Sequence, residues 1–381
     1  MTQTAEHWLD KIRALPRPVD TAAVRVMNVC GGHERSITMS GIRSLLPDYI
    51  ELVPGPGCPV CICPEEDVYQ AIQLALQQDI TLVTFGDMLR VPVNSVSTYK
   101  QTDIARTLEQ AAAAGADVRP IASPIEALSI ATQTPDRQIV FFAAGFETTM
   151  APVAAMLDQG IPDNLLLLLS GRRTAPAVAA LLASDTIAID ALVAPGHVAT
   201  IMGAGEWQFI VTQYQLPCAV AGFTAASLLA ALYSVLRQRQ EQHYFVDNCY
   251  PALVNDNGNP SAQQCLERQF DIMPANWRGL GEIADSGYVL KASGQGHDAR
   301  RAFPPDDSDT RKRAGAMPPG CDCARVVCGQ IYPDQCRLYE TACTPTKPIG
   351  PCMVSDEGAC HIWWMGGKRR SKTIDTKTTS S

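Results

Sequence analysis

Short apolar runs recur along the first two-thirds of the chain, at 23–29, 80–85, 116–121, 138–144, 164–169, 189–194 and 218–222. They are apolar almost without a break, the pattern of strands buried on both faces rather than of strands with one wet side. Stretches with helical periodicity lie between them, at 65–78, 102–114, 124–132 and 174–184. This alternation predicts an α/β fold of parallel sheets covered by helices. We expect two Rossmann-like lobes, at 1–120 and 121–240, then a C-terminal region at 241–366 with a small cysteine-rich domain. Residues 292–320 read as a polar Pro/Gly-rich linker, and 367–381 as a disordered basic tail.

In sheets of this kind, functional residues gather beyond the carboxyl ends of the strands. Those ends carry the unusual residues here. The first strand runs into Cys30-Gly31-Gly32-His33-Glu34. An extended piece at Glu51-Leu52-Val53 runs into Pro54-Gly55-Pro56-Gly57-Cys58-Pro59-Val60-Cys61. Other strands end in Gly86-Asp87, Gly145-Phe146-Glu147 and Pro195-Gly196-His197. Asp87, Arg90, Glu147 and His197 are candidates to orient ligands or move protons around one crevice. The alternative for each is a loop residue that caps a helix or pairs a charge.

At 381 residues the chain exceeds one ordinary core. A net charge of −8 argues against a nucleic-acid grip as the main role. The uncharged run 219–236 is long enough to raise a membrane question. Gly222, Thr224, Ser227 and Ser234 dilute it, so it reads as a strand at 218–222 followed by a buried helix, with no membrane span. The N-terminus, with Glu6 and Asp10 and no long apolar run, does not read as a secretory signal. A cytoplasmic location keeps thiols reduced, so the fourteen cysteines read as metal ligands or redox groups.

These cysteines form two systems. Cys58 and Cys61 make a C-x-x-C pair, flanked by Cys30 upstream and Cys63 just beyond. Such a pair can close and re-open a disulfide, and a helix starting at 64 would lower the first thiol's pKa. Two ligands of a structural zinc are the alternative. Cys30 and His33, three apart across two glycines, suit iron or zinc, or a thiol with a proton shuttle beside it. The second system is Cys321, Cys323, Cys328, Cys336, Cys343, Cys352 and Cys360. Four thiolates suffice for a [4Fe–4S] cluster or a tetrahedral zinc. The wide spacing among them favours the cluster.

Together the motifs VCGGH (29–33), GPGCPVC (55–61), TFGDMLRVP (84–92), GFETT (145–149), APGHV (194–198), VAGF (220–223), WRGLG (277–281), CTP (343–345) and GPCMVSDEGAC (350–360) resemble the HypD family of hydrogenase maturation factors. The resemblance runs from about residue 20 to residue 364. It implies a scaffold on which the Fe(CN)2CO unit of [NiFe]-hydrogenases is assembled. It implies a HypC-like small chaperone that shares one transient iron with this chain, and a HypE-like donor that delivers cyanide as a thiocyanate. Carried over by position, Cys30 is the iron ligand with His33 beside it, and Cys58 and Cys61 are a redox couple. Cys328, Cys336, Cys343 and Cys360 become the ligands of a [4Fe–4S] cluster, with Cys352 in reserve and Cys321 and Cys323 set aside. The chain departs from the family pattern at Glu34, Val93, Ser170 to Arg173 and Thr224, and Cys63 is additional. Two other functions stay open: a dithiol–disulfide oxidoreductase with an electron-relay cluster, and a zinc-stabilised interaction scaffold.

Overall fold

The computed structural model describes residues 3–19, 21–94, 105–184, 187–304 and 317–367. Eleven strands are found among them: β1 Val24–Asn28, β2 Ile50–Pro54, β3 Ile80–Phe85, β4 Asp117–Ile121, β5 Gln138–Gly145, β6 Leu165–Gly171, β7 Ala191–Pro195, β8 Cys218–Ala221, β9 Val246–Asn248, β10 Phe270–Trp277 and β11 Gly281–Leu290. The α/β expectation holds. One parallel sheet has the order β2-β1-β7-β8-β9, and a second has the order β4-β3-β5-β6. All seven residues of β6 and all but the first of β5 are buried, as continuous apolar runs require.

The sheets do not divide the chain at residue 120. β1 and β2 are in the same sheet as β7, β8 and β9, while β3 to β6 form the other sheet entire. The chain leaves the first sheet after β2, builds the second, and returns to it at β7. Strand–helix alternation reveals where strands are but not which neighbour each one chooses, so contiguous lobes were the natural misreading.

Helix boundaries follow local chemistry. The helix expected at 102–114 is Leu108–Ala113, with Thr107 as N-cap accepting from the Gln110 amide at 3.1 Å; residues 102–104 lie outside the described residues. The uncharged run resolves into β8 and a helix over Ala225–Glu241 capped by Thr224. Among the described residues no helix is long and apolar enough to cross a membrane.

The β10–β11 antiparallel hairpin was not anticipated. Its Trp277 and Ile283 pack with Ile62 and Phe146, tying it to the C-x-x-C region. The supposed linker is ordered at its start: Ala292–His297 is a 3-10 turn and Ala299–Ala302 a short helix. Arg300 fastens it by pairing with Asp67 at 2.6 Å. Residues 305–316, and the expected tail beyond Gly367, lie outside the described residues. The C-terminal region consists of short turns and a closing helix, Ala359–Met365. Its cysteines share an apolar cluster with Cys58, Cys61 and Cys63.

Candidate metal and thiol centre

In the first sheet β2, β1, β7 and β8 lie side by side and parallel, so their carboxyl ends form one edge. That edge gathers Gly55–Gly57, Cys30, His197 and Phe223. Cys30 is the N-cap of the helix Gly31–Met39 and is half-buried. Gly57 packs against it so closely that an added Cβ would lie 2.4 Å from Cys30 N and Cα. The Gly31 amide donates to the Gly57 carbonyl at 3.1 Å. On the other side Glu357 covers the turn, where a Cβ on Gly31 would meet Glu357 Cβ at 2.4 Å. A Cβ on Gly32 would meet the Phe223 ring at 2.8 Å, so neither glycine after Cys30 has room for a side chain.

Burial pushes the Cys30 thiol up to about 12, against the pull of the His33 and Gly32 amides, with the Glu357 charge raising it further. His33 is fully buried, and its Nε2 lies 2.9 Å from the Ala221 carbonyl. A carbonyl only accepts, so Nε2 carries the proton. Nδ1 therefore presents a bare lone pair, and it has no partner among the described residues. Burial lowers the His33 pKa to about 4, opposed by that carbonyl bond and assisted by the nearby His197. His197 stacks on Phe223 at 3.8 Å, and Phe223 in turn lies 4.9 Å from the His33 ring. Phe223 and Glu357, which no sequence pattern singles out as site residues, both help to form the wall beside Cys30.

Asp87 joins this wall from the second sheet, accepting from Ser355 Oγ at 3.4 Å. Burial raises its pKa, and so does the charge of Asp356. Glu357, although part of its side chain reaches solvent, is raised to about 7 by burial and by the charges of Asp87 and Asp356. Arg90 donates to the Pro345 carbonyl at 2.5 Å, a fastening role. Glu147 is engaged elsewhere. Its two oxygens accept from the Thr174 amide and hydroxyl, both at 2.7 Å. It holds the start of the helix Thr174–Leu182.

Cys58 and Cys61 are joined in a disulfide. Cys58 does stand at a helix N-terminus, but the helix is the single turn Pro59–Ile62 and not Glu65–Ala75. Cys63 and Pro64 separate the two. Cys63 is buried as a free thiol 3.4 Å from Ser170 Oγ. Since Ser170 donates its proton to Asp67 at 2.7 Å, Cys63 is the donor to Ser170.

In the C-terminal system the sulfurs of Cys323, Cys352 and Cys360 lie within 4.8 Å of one another, all buried. Cys321 Sγ is 3.2 Å from Cys323 Sγ. Cys336 acts electrostatically on Cys360, and Cys321 and Cys336 act on Cys343. A Cβ on Gly350 would lie 2.4 Å and 2.5 Å from the sulfurs of Cys321 and Cys323, so the glycine leaves space for them. This donor set fits a thiolate-bound metal centre. Of the four ligands the resemblance implied, Cys360 is in the tight group, and Cys336 and Cys343 adjoin it. Cys328 does not join them: its thiol is raised to about 11 by burial alone, with no other thiol acting on it. Cys323, which the resemblance set aside, lies in the tight group. Nothing in the spacing distinguishes these two, because the turn Cys323–Val327 puts them at opposite ends.

Comparison with known proteins identifies the family. The HypD family model, described as "Hydrogenase formation hypA family", matches residues 3–366. The chain is 37% identical over 361 residues to the hydrogenase maturation factor HypD of Azotobacter vinelandii, covering 92% of this chain and 91% of that protein. It is 36% identical over 374 residues to HypD of Escherichia coli (strain K12), covering 97% of this chain and 96% of the relative. The Rhodobacter capsulatus HypD is similar at 36% over 352 residues, covering 91% of this chain and 90% of that protein.

Proposed function

The chain belongs to the HypD family of hydrogenase maturation factors, and on that premise we propose that it assembles the Fe(CN)2CO unit of [NiFe]-hydrogenases. In this reading a HypC-like partner brings iron to Cys30 and a HypE-like partner delivers cyanide as a thiocyanate. Both meetings take place in the cytoplasm. The observation that carries the reading is the convergence of Cys30, the Cys58–Cys61 pair and the C-terminal cysteines. Gly57 leads from Cys30 into the Cys58–Cys61 pair, and the segment carrying Cys352 and Cys360 covers the same turn through Glu357.

Iron is the cargo here. Cys30 must lose its proton to bind it, and binding the cation drives that loss. The bare Nδ1 of His33 offers a second donor or a proton acceptor. Cyanide release from R–S–C≡N requires two electrons and one proton, yielding R–SH and cyanide. The reduced Cys58/Cys61 pair supplies two electrons and two protons as it closes to the disulfide, leaving one proton over. Cyanide then bonds to the iron.

We infer that Cys323, Cys352 and Cys360, with a fourth thiol from Cys321, Cys336 or Cys343, hold a [4Fe–4S] cluster. When bound, it supplies one-electron redox chemistry. A second reading has a specific observation behind it. A tetrahedral zinc with bonds of about 2.3 Å places its sulfurs roughly 4 Å apart, and the sulfurs of this trio all lie within 4.8 Å of one another. Anaerobic purification with iron and zinc assays separates the two. We expect about four irons per chain, the content of one [4Fe–4S] cluster. Cys323→Ser and Cys360→Ser should lose most of it, and Cys328→Ser should retain it. A colourless zinc protein would sink the cluster. Iron bound with a HypC-like partner should disappear in Cys30→Ala; partner-dependent iron that survives this change would remove Cys30 from the proposal.

A further inference from the structure

Arg278 has no part in the chemistry above, yet it is the most deeply buried cation described, with a side chain 0% exposed. Its Nη2 pairs with Glu65 Oε2 at 2.9 Å and donates to the Pro92 carbonyl at 3.0 Å. Nε and Nη1 have no partner among the described residues. Nε carries one N–H and Nη1 carries two, so these donors are unspent and shielded from bulk solvent. Folded proteins leave few buried donors unpaired, because each loses its hydration without return. An acceptor is therefore expected beside this guanidinium.

The backbone places Arg278 between two cysteine-bearing segments. The Arg278 amide donates to the Ile62 carbonyl at 2.9 Å, between Cys61 and Cys63. The next residue, Gly279, has a φ of +79° and presses on the opposite segment. A Cβ there would lie 2.6 Å from Ala324 Cβ and 3.2 Å from Met317 Sδ. Arg278 thus stands between the C-x-x-C turn and the segment that carries Cys321 and Cys323. Its charge acts on both Cys321 and Cys63.

We propose that Arg278 is a positioning cation for the C-terminal cysteine centre, donating hydrogen bonds to its sulfurs and favouring its reduced state. This rests on the reading of that centre as an iron–sulfur cluster. A thiolate-ligated cluster is anionic and gains a further negative charge on reduction. A buried cation with free donors holds the more negative state more tightly, and hydrogen bonds to the sulfurs are among the factors that set such potentials. Glu65 anchors the guanidinium and leaves its remaining donors free to turn toward the sulfurs.

The test is a redox titration of the full chain, loaded with iron and sulfide without oxygen and followed by electron paramagnetic resonance. Arg278→Gln is compared with the parent. The double variant Glu65→Gln/Arg278→Gln removes the ion pair without stranding a buried charge, which guards against misfolding. We expect full cluster loading in the double variant and a hold on the added electron about tenfold weaker. For one electron this is a potential lower by about 59 mV. Arg278→Lys, which keeps the charge but loses the fork, should fall between. A loaded double variant with an unchanged potential would overturn the proposal. A parent protein that forms no cluster would overturn instead the reading on which it rests.

Discussion

At Gly57 a single added methyl would sit 2.4 Å from the backbone of Cys30, which cannot yield without moving β1. Gly57→Ala should therefore displace the Cys30 turn and destabilise the protein by about 1–3 kcal/mol, the usual range for overpacking. Thermal unfolding together with the alkylation rate of Cys30 would check this; an unchanged rate and stability would mean that the close approach relaxes freely. His33 makes a pH-dependent prediction. Its folded pKa of about 4 lies below an imidazole's ordinary 6.5, so between these values the unfolded chain binds more protons. Its contribution is thus fully present above pH 6.5 and is lost as pH falls to about 4. A gap of this size corresponds to about 3 kcal/mol. The acid limb of the stability profile should flatten in His33→Gln, and an identical limb in parent and variant would count against a buried neutral imidazole.

Elements place these residues where no local pattern can. The CGGH and GPGC turns come together because β1 and β2 are adjacent and parallel, and APGH and AGF join them because β7 and β8 come next in the same sheet. The single turn Pro59–Ile62 holds Cys58 and Cys61 at the spacing of a disulfide. Reduction should accordingly free two thiols in the parent protein and none of that pair in Cys58→Ser/Cys61→Ser, as read by thiol counting under denaturing conditions. The hairpin matters to this turn through Trp277, which packs with Ile62, and through Arg278, which bonds its carbonyl. A two-stranded ribbon of this kind is hard to read in sequence. Much of it is exposed, with Ile272, Met273 and Val289 facing outward, so its pattern lacks a clean apolar face.

Across the whole molecule the C-terminal region works as a clasp. Trp363 donates to Glu34 at 2.7 Å, Glu357 covers Gly31, and Ser355 reaches Asp87. The region consists largely of turns, so a metal bound by its thiols would contribute directly to folding. Removing that metal with a chelator should lower the unfolding temperature by about 5 °C, given a ligand effect of about 2.7 kcal/mol and a few degrees per kcal/mol. It should also increase alkylation of Cys30, because the clasp over its turn loosens. If the midpoint stays put after complete metal loss, the centre is not a staple.

The sequence by itself determined β1 to β8, five of the helices, the α/β class, the family and the two cysteine systems. These follow from periodicity and from short motifs, both of which are local. Tertiary structure alone decided that β1 and β2 join β7 to β9 rather than β3 and β4, that Cys323 and not Cys328 faces Cys352 and Cys360, that Glu147 is taken up by Thr174, and that Glu357 and Phe223 enclose Cys30. Each of these is a contact between residues far apart in the chain or a choice between two thiols on one turn. Hydrophobic burial drives such contacts, but it is non-directional, so it favours many pairings alike. Only packing of the complete chain selects among them.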